Sequence, residues 1–263
     1  MYKNFGLIGK PISHSISPKI HNIFLYTNRL NGGYCCFELE DSQLPDVIDL
    51  FKKMHFTGFN VTLPYKERII DFLDGLESDA EKIGAVNTVK IENGKLIGYN
   101  TDIFGIRETF KFYNVDLSKK VIVVLGAGGA ARGLLYELRN HDYEELIIVN
   151  RTVEKGFLIA EEFEIKKYSV KDLNSFDYSK KYDIIINSSS AGLSGGAVFG
   201  DLKADVAFDM QYDLEKKTIF LEKVDCKRGF DGLVMLVGQA YKAFCIWNGF
   251  DFSINYDEVI KML

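Results

Sequence analysis

Lys66 lies in the run GFNVTLPYKERI (58–69), just past a segment in which polar and apolar residues alternate: Phe59-Asn60-Val61-Thr62-Leu63. In extended backbone that alternation puts Asn60 and Thr62 on one face, and Pro64 ends the strand. An ammonium beside an amide and a hydroxyl at a strand end can stabilise an oxygen that gains negative charge and pass it a proton. A helix is expected over 67–73, where a cation at the start opposes the helix dipole, so local stability does not account for Lys66. A second polar cluster follows. Asn93-Gly94 between two apolar runs, 89–91 and 96–99, predicts a two-residue hairpin turn, which carries Asn87-Thr88 and Asn100-Thr101-Asp102 to the same end of the sheet. Asn87 and Asp102 also fit turn or cap positions, Asp102 preceding a helix over 103–112. A cap and an active-site carboxylate are compatible. Near the N-terminus, Ser15 and Ser17 precede Pro18 at the mouth of a helix over 19–30. Ser17 is placed to cap that helix, while the two hydroxyls together could bind a polyol or a carboxylate. His14 is assigned no role.

A different chemistry is written in VIVVLGAGGAARG (121–133). The β-branched run 121–125 reads as a buried strand, and Ala130, Ala131, Leu134, Leu135 and Leu138 form a helical stripe. Three glycines stand between them. Gly126 permits the tight turn, Gly128 lets a phosphate approach the backbone, and Ala131 is small enough for close helix–strand packing. With a second strand over 146–149 this makes a βαβ unit whose helix N-terminus can face an anion. At the end of that second strand a fold preferring NAD usually carries Asp or Glu. Here stand Asn150-Arg151-Thr152, with Lys155 nearby, and these cations suit a 2′-phosphate. NADP is therefore expected over NAD.

The elements that must position these groups come from a chain of 263 residues, 47% hydrophobic, with a net charge of −5. That length suggests one or two domains. The mixed charge offers no basic field for nucleic acid, no apolar run approaches the roughly 20 residues of a membrane span, and no signal peptide is evident. Cys35, Cys36, Cys226 and Cys245 show no C-x-x-C spacing, so reduced thiols, no metal site and a cytoplasmic location are expected. Strands are expected over 4–9, 34–39, 182–187 and 206–210. Helices are expected over 44–54, from Gly232 onward with Trp247 near the end, and over 256–263. The loop SSSAGLSGG (188–196) is expected along the cofactor.

In order along the chain, SHSISP (13–18), NVTLPYK (60–66), GAVNT (84–88), NTD (100–102), GAGGAARG (126–133), NRT (150–152), DMQY (209–212) and DGLVMLVGQA (231–240) closely resemble the shikimate dehydrogenase family. The resemblance implies NADPH-dependent reduction of 3-dehydroshikimate to shikimate, with Lys66 and Asp102 as a catalytic dyad in which Asp102 orients Lys66. Which of the two moves the proton stays open. Ser15, Ser17, Asn60, Thr62, Lys66, Asn87, Asp102, Tyr212 and Gln239 fall on the family's substrate positions. Gly126, Ala127, Gly128, Gly129, Ala130, Asn150, Arg151, Thr152, Lys155, Ser189, Met210 and Gly232 fall on its cofactor positions. Ser189 stands where relatives carry threonine, and Ser78 where they often carry an acid.

The implied fold is α/β with two domains separated by a cleft. A catalytic domain with a mixed sheet, residues 1–102 and 232–263, is completed by the C-terminal helices, and a Rossmann-like NADP domain spans 103–231. Hinge closure is an accompanying expectation, as are a small-molecule substrate, no nucleic-acid or membrane partner, and a monomer or homodimer. The alternatives are a quinate or dual quinate/shikimate dehydrogenase, a non-catalytic dinucleotide sensor, and a structural or partner-binding protein.

Overall fold

The first strand, β1 (Lys3–Gly9), alternates so that Phe5 and Leu7 face one side of a sheet and Ile8 the other, and all three are buried. The computed structural model describes residues 2–189 and 201–263. It divides into two compact units, residues 1–105 with 236–263, and 106–235.

In the first unit β1 is followed by α1 (Ser17–Thr27), β2 (Gly32–Glu38), α2 (Leu44–Lys53), β3 (Gly58–Val61), β4 (Gly75–Leu76), α3 (Ser78–Ile83), β5 (Thr88–Glu92) and β6 (Lys95–Tyr99). The sheet order is β2-β1-β3-β5-β6-β4, with β2, β1 and β3 parallel and β5 antiparallel to both β3 and β6. Asn93 (φ 54°) and Gly94 (φ 76°) form the expected hairpin turn, both in the left-handed region that a primed turn requires. One face of the sheet packs Ile8, Phe59, Val61 and Val89 against Leu44, Ile48 and Phe51 of α2. On the other, Phe5 stacks on Trp247 at 4.9 Å, and the indole N–H donates to the Val89 carbonyl at 2.9 Å. Trp247 thereby anchors a late helix on the first strands.

α4 (Asp102–Phe112) leads into the second unit, which contains β7 (Val121–Leu125), α5 (Gly129–Leu138), β8 (Glu145–Val149), α6 (Val153–Glu162), β9 (Tyr168–Lys171), β10 (Lys181–Asn187), β11 (Lys203–Asp209), α7 (Ile219–Lys223) and β12 (Asp225–Phe230). α8 (Leu233–Asn248) returns to the first unit, and α9 (Tyr256–Lys261) ends the chain there. The second sheet is parallel throughout, in the order β12-β11-β10-β7-β8-β9. Strands bounded by helices on both faces are apolar along their length, and Ile122 to Leu125 are buried without alternation. The order is that of a doubly wound dinucleotide fold, whose switch point falls between β7 and β10. The α/β expectation with one mixed and one Rossmann-like sheet therefore holds. Among the described residues no helix is long and apolar enough to cross a membrane.

Three local expectations change. The helix expected over 19–30 runs from Ser17 to Thr27. Ser17 is thus inside the helix, Ile16 holds the cap position without a side-chain bond, and the capping reading of Ser17 fails. The helix expected over 67–73 is a 3-10 turn, Arg68–Phe72, too short to carry a full helix dipole against Lys66.

Candidate active site

In the first unit the polar residues gather because four chain ends leave one edge of the sheet. β1 and β3 are parallel neighbours and end there, and the loop after β3 is tied back where the Val86 N–H donates to the Lys66 carbonyl at 2.7 Å. β5 starts and β6 ends at the same edge, with Thr88 opposite Asn60 on one side and Tyr99 on the other. Lys66 Nζ reaches Asp102 Oδ2 at 2.8 Å, with side-chain exposures of 20% and 14%. The other carboxylate oxygen, Oδ1, accepts from Asn87 Nδ2 at 2.7 Å. Asp102 opens α4, but its carboxylate is spent on Lys66 and Asn87, while its own N–H donates to Asn100 Oδ1 at 3.1 Å.

The orientation of Asn87 follows from what its neighbours can do. The Thr101 N–H only donates, and it meets Asn87 Oδ1 at 2.8 Å, so the amide nitrogen faces Asp102. Thr101 also reaches Gln239 Oε1 at 3.5 Å, and Gln239 Nε2 donates to the Leu236 carbonyl at 3.0 Å. Gln239 of α8 is therefore drawn to the Asp102 cluster. Ser15 and Ser17 face each other, Oγ to Oγ at 3.2 Å, and Ser15 Oγ also accepts from the Ser17 N–H at 3.3 Å. Asn60 is buried, and Thr62, half-buried, has no side-chain hydrogen bond among the described residues. Tyr212 lies in the second unit, three residues after β11.

At the carboxyl ends of the second sheet, Gly126 turns with φ 108°, and a Cβ there would lie 3.1 Å from Ser188 Oγ and Ser189. Only glycine fits that conformation without strain. The Gly126 N–H donates to the Val149 carbonyl at 2.8 Å and the Ala127 N–H to Asn150 Oδ1 at 3.2 Å, so Asn150 holds the turn. Past the turn, a Cβ on Gly128 or Gly129 would meet nothing within 4 Å. No side chain caps α5 and no acid stands in its first turn, leaving first-turn N–H groups for an anion.

Ser189 Oγ donates to Asn187 Oδ1 at 2.7 Å, and Gln211 Nε2 donates to the Ser189 carbonyl at 2.6 Å. The Met210 N–H reaches the Asn187 carbonyl at 2.9 Å, and Gly232 lies so close that a Cβ there would sit 2.4 Å from the Met210 carbonyl oxygen. Asp209 is buried beneath them, bonded to Asn187 Nδ2 at 2.9 Å, and burial pushes its carboxyl pKa up. The same carboxylate oxygen accepts from the Gln211 N–H at 3.1 Å, so it ties the end of β10 to the chain leaving β11. Ala130 is exposed in the first turn of α5. Arg151, Thr152 and Lys155 are exposed where β8 passes into α6, and neither cation makes an ion pair or side-chain hydrogen bond among the described residues. The glycine turn and these cations fit a dinucleotide carrying an extra phosphate. Residues 190–196 of the SSSAGLSGG loop lie outside the described residues.

The polar pairs of the hairpin ends were visible from alternation and turn chemistry. Thr101 as the residue that orients Asn87 was not, although its place beside Asp102 was. Tyr34 was read only as part of a strand, yet its hydroxyl reaches Asn60 Oδ1 at 2.8 Å.

Residues 7–89 match the family model for the shikimate dehydrogenase substrate binding domain, and residues 108–194 that for shikimate / quinate 5-dehydrogenase. The shikimate dehydrogenase (NADP(+)) of Caldanaerobacter subterraneus subsp. tengcongensis is 37% identical over 273 residues, covering 98% of this chain and 96% of its own. The crystal structure of shikimate dehydrogenase from Aquifex aeolicus aligns with a TM-score of 0.88 at 36% identity, over 99% of this chain and 97% of that one. A shikimate dehydrogenase crystallised in complex with NADP+ aligns with the same TM-score of 0.88 at 36% identity, over 99% of this chain and 94% of that one. With both sheets, the ordered polar edge and near-complete coverage in agreement, this chain belongs to the shikimate dehydrogenase family.

Proposed function

We propose that this chain catalyses the reversible NADPH-dependent reduction of 3-dehydroshikimate to shikimate, in the biosynthesis of aromatic amino acids. The observation that carries the reading is the Lys66–Asp102–Asn87 arrangement, bonded at 2.8 and 2.7 Å at the sheet edge that also bears Thr62. When bound, NADPH supplies a hydride to the carbonyl carbon. Lys66 Nζ then stabilises the oxygen as it becomes negative and donates a proton to it, and takes that proton back in the reverse direction. Both Asp102 oxygens are occupied, whereas Lys66 Nζ makes one hydrogen bond among the described residues and has further N–H donors to offer. Lys66 is therefore the group that moves the proton, and Asp102 orients it.

In the same reading the first unit is the substrate and catalytic domain. Ser15, Ser17, Thr62, Asn87 and Gln239 supply donors and acceptors for the ring hydroxyls and carboxylate, and Tyr212 is a further substrate contact. That second unit is the NADP domain. Gly126 to Ala130 cradle the pyrophosphate, Arg151 and Lys155 pair with the 2′-phosphate with Asn150 and Thr152 at the same strand end, and Ser189, Met210 and Gly232 line the nicotinamide end. A cytoplasmic location belongs to this reading and rests on four cysteines that are all free.

The test is turnover of shikimate and of quinate, each with NADP+ and with NAD+. The reading predicts the highest kcat/KM for shikimate with NADP+. A preference for quinate would replace the substrate, and no turnover on any pair would remove the enzyme reading.

A further inference from the structure

Beneath the Lys66–Asp102 pair runs a line of buried polar side chains that ends on an aromatic ring. The Tyr34 hydroxyl meets Asn60 Oδ1 at 2.8 Å. Asn60 Nδ2 donates to the Asn87 carbonyl at 3.0 Å and to Thr88 Oγ1 at 2.9 Å. The Thr88 hydroxyl passes its proton toward Asn87 Oδ1 at 3.0 Å, and Asn87 Nδ2 ends on Asp102. Tyr34, Asn60, Asn87 and Thr88 are at most 5% exposed.

The direction of the amide bonds is forced, while the Thr88 hydroxyl has both Asn87 Oδ1 and, at 3.2 Å, Thr101 Oγ1 within reach. The Asn87 carbonyl only accepts, so the Asn60 nitrogen must face it, its oxygen must face Tyr34, and Tyr34 must donate. The phenol is suited to that, because burial raises its pKa well above the usual value and keeps the proton on. His21 lies parallel to the Tyr34 ring at 4.3 Å, an interplanar angle of 6°. It is fully buried with no hydrogen bond to either nitrogen among the described residues, and burial lowers its pKa to about 3, so the ring is neutral. His21 fixes the phenol by stacking.

We infer that Tyr34 is a positioning residue for the Lys66–Asp102 pair, acting through Asn60, Thr88 and Asn87, and that Asn60 serves this line rather than contacting substrate. Both donors of Asn60 are used within the protein and its oxygen holds Tyr34. Without the hydroxyl the Asn60 oxygen loses its partner, which loosens the amide that holds the Asn87 carbonyl and Thr88, and through them the Asn87 donor that steadies Asp102. The inference rests on the proposed role of Lys66 and Asp102.

The test is Tyr34→Phe, which keeps the ring on His21. Expected is a fall in kcat of about 3- to 10-fold, in the range of one lost hydrogen bond, with KM for shikimate changed less than about 2-fold. Thr88→Val should show the same split and Thr88→Ser should restore kcat. Because the two variants cut one line, the double variant should be no slower than the worse single. Wild-type kcat in Tyr34→Phe, or multiplied defects in the double variant, would overturn the inference. Should Tyr34→Phe not fold, the Thr88 pair decides alone, and equal kcat in Thr88→Val and Thr88→Ser would overturn it. Lys66→Ala run beside them separates the two levels. Its turnover would sink the site reading and this inference together, while loss there with normal Tyr34→Phe would sink only the inference.

Discussion

In the first unit, Lys66, Asp102 and Asn87 are held by side-chain bonds of 2.7 to 2.8 Å, and behind them runs a line of buried, mutually hydrogen-bonded amides and hydroxyls. In the second, the glycine turn presents backbone N–H groups beside open space, and Arg151 and Lys155 stand exposed without partners among the described residues. One region spends its polar groups on each other so that few atoms are aimed; the other leaves the N–H groups of a helix start and two cations unspent. The difference follows from the proposed tasks. Moving a proton needs a donor whose position is set before the substrate arrives, because misplacement by about 1 Å costs about 10²-fold. Holding a phosphate needs charge and N–H groups in number, which a helix start and two cations supply with little preorganisation.

The comparison can be broken at several points. Asp102→Asn removes the charge that orients Lys66, and kcat should fall at least about 10²-fold with the NADP+ dissociation constant unchanged. A fall in both would show that the two regions are not separable. Arg151→Ala should act in the opposite way, raising KM for NADP+ by about 10- to 100-fold while NAD+ kinetics stay as they are, the range of a lost charge-assisted hydrogen bond. Equal effects on both nucleotides would remove the 2′-phosphate role. A smaller effect is expected of Gly128→Ala, since the added methyl meets nothing in the protein and the melting temperature should hold. NADP+ affinity should weaken several-fold, because the methyl fills space that a phosphate needs. Unchanged affinity would show that the phosphates lie elsewhere.

The smallest effect concerns stability. His21 titrates at about 3 when folded against 6.5 as the ordinary value, so unfolding takes up a proton below that value. Its contribution is intact above pH 6.5 and drains away as pH falls toward about 3. The slope is at most about 1.4 kcal/mol per pH unit. His21→Phe should therefore lose less stability than the parent between neutral pH and pH 5, by about 2 kcal/mol, measured by thermal melting at both values. Parallel losses would mean that His21 does not couple folding to protons.

Much of this was legible because the signals are local. Asn93-Gly94 can hardly be read except as a hairpin turn, and once it is placed, Asn87 and Asp102 must share an end. The glycines between a β-branched strand and an apolar helical stripe were equally direct. Ser17 was misplaced because a serine before a proline looks the same at the cap as one residue inside it, and the difference is two residues of helix. Tyr34 escaped because its partner is 26 residues away and a tyrosine in a strand reads as an apolar ring until its hydroxyl finds an acceptor. β12, DCKRGF at the sheet edge, is largely exposed and carries no apolar alternation, and β9 has four residues, too few for a pattern.

The most direct test of the central claim is shikimate-dependent reduction of NADP+ by Lys66→Ala, with NADP+ binding measured on the same preparation. The account predicts that binding is retained and that kcat falls at least about 10²-fold. Turnover at the parent rate with the amine gone would contradict it.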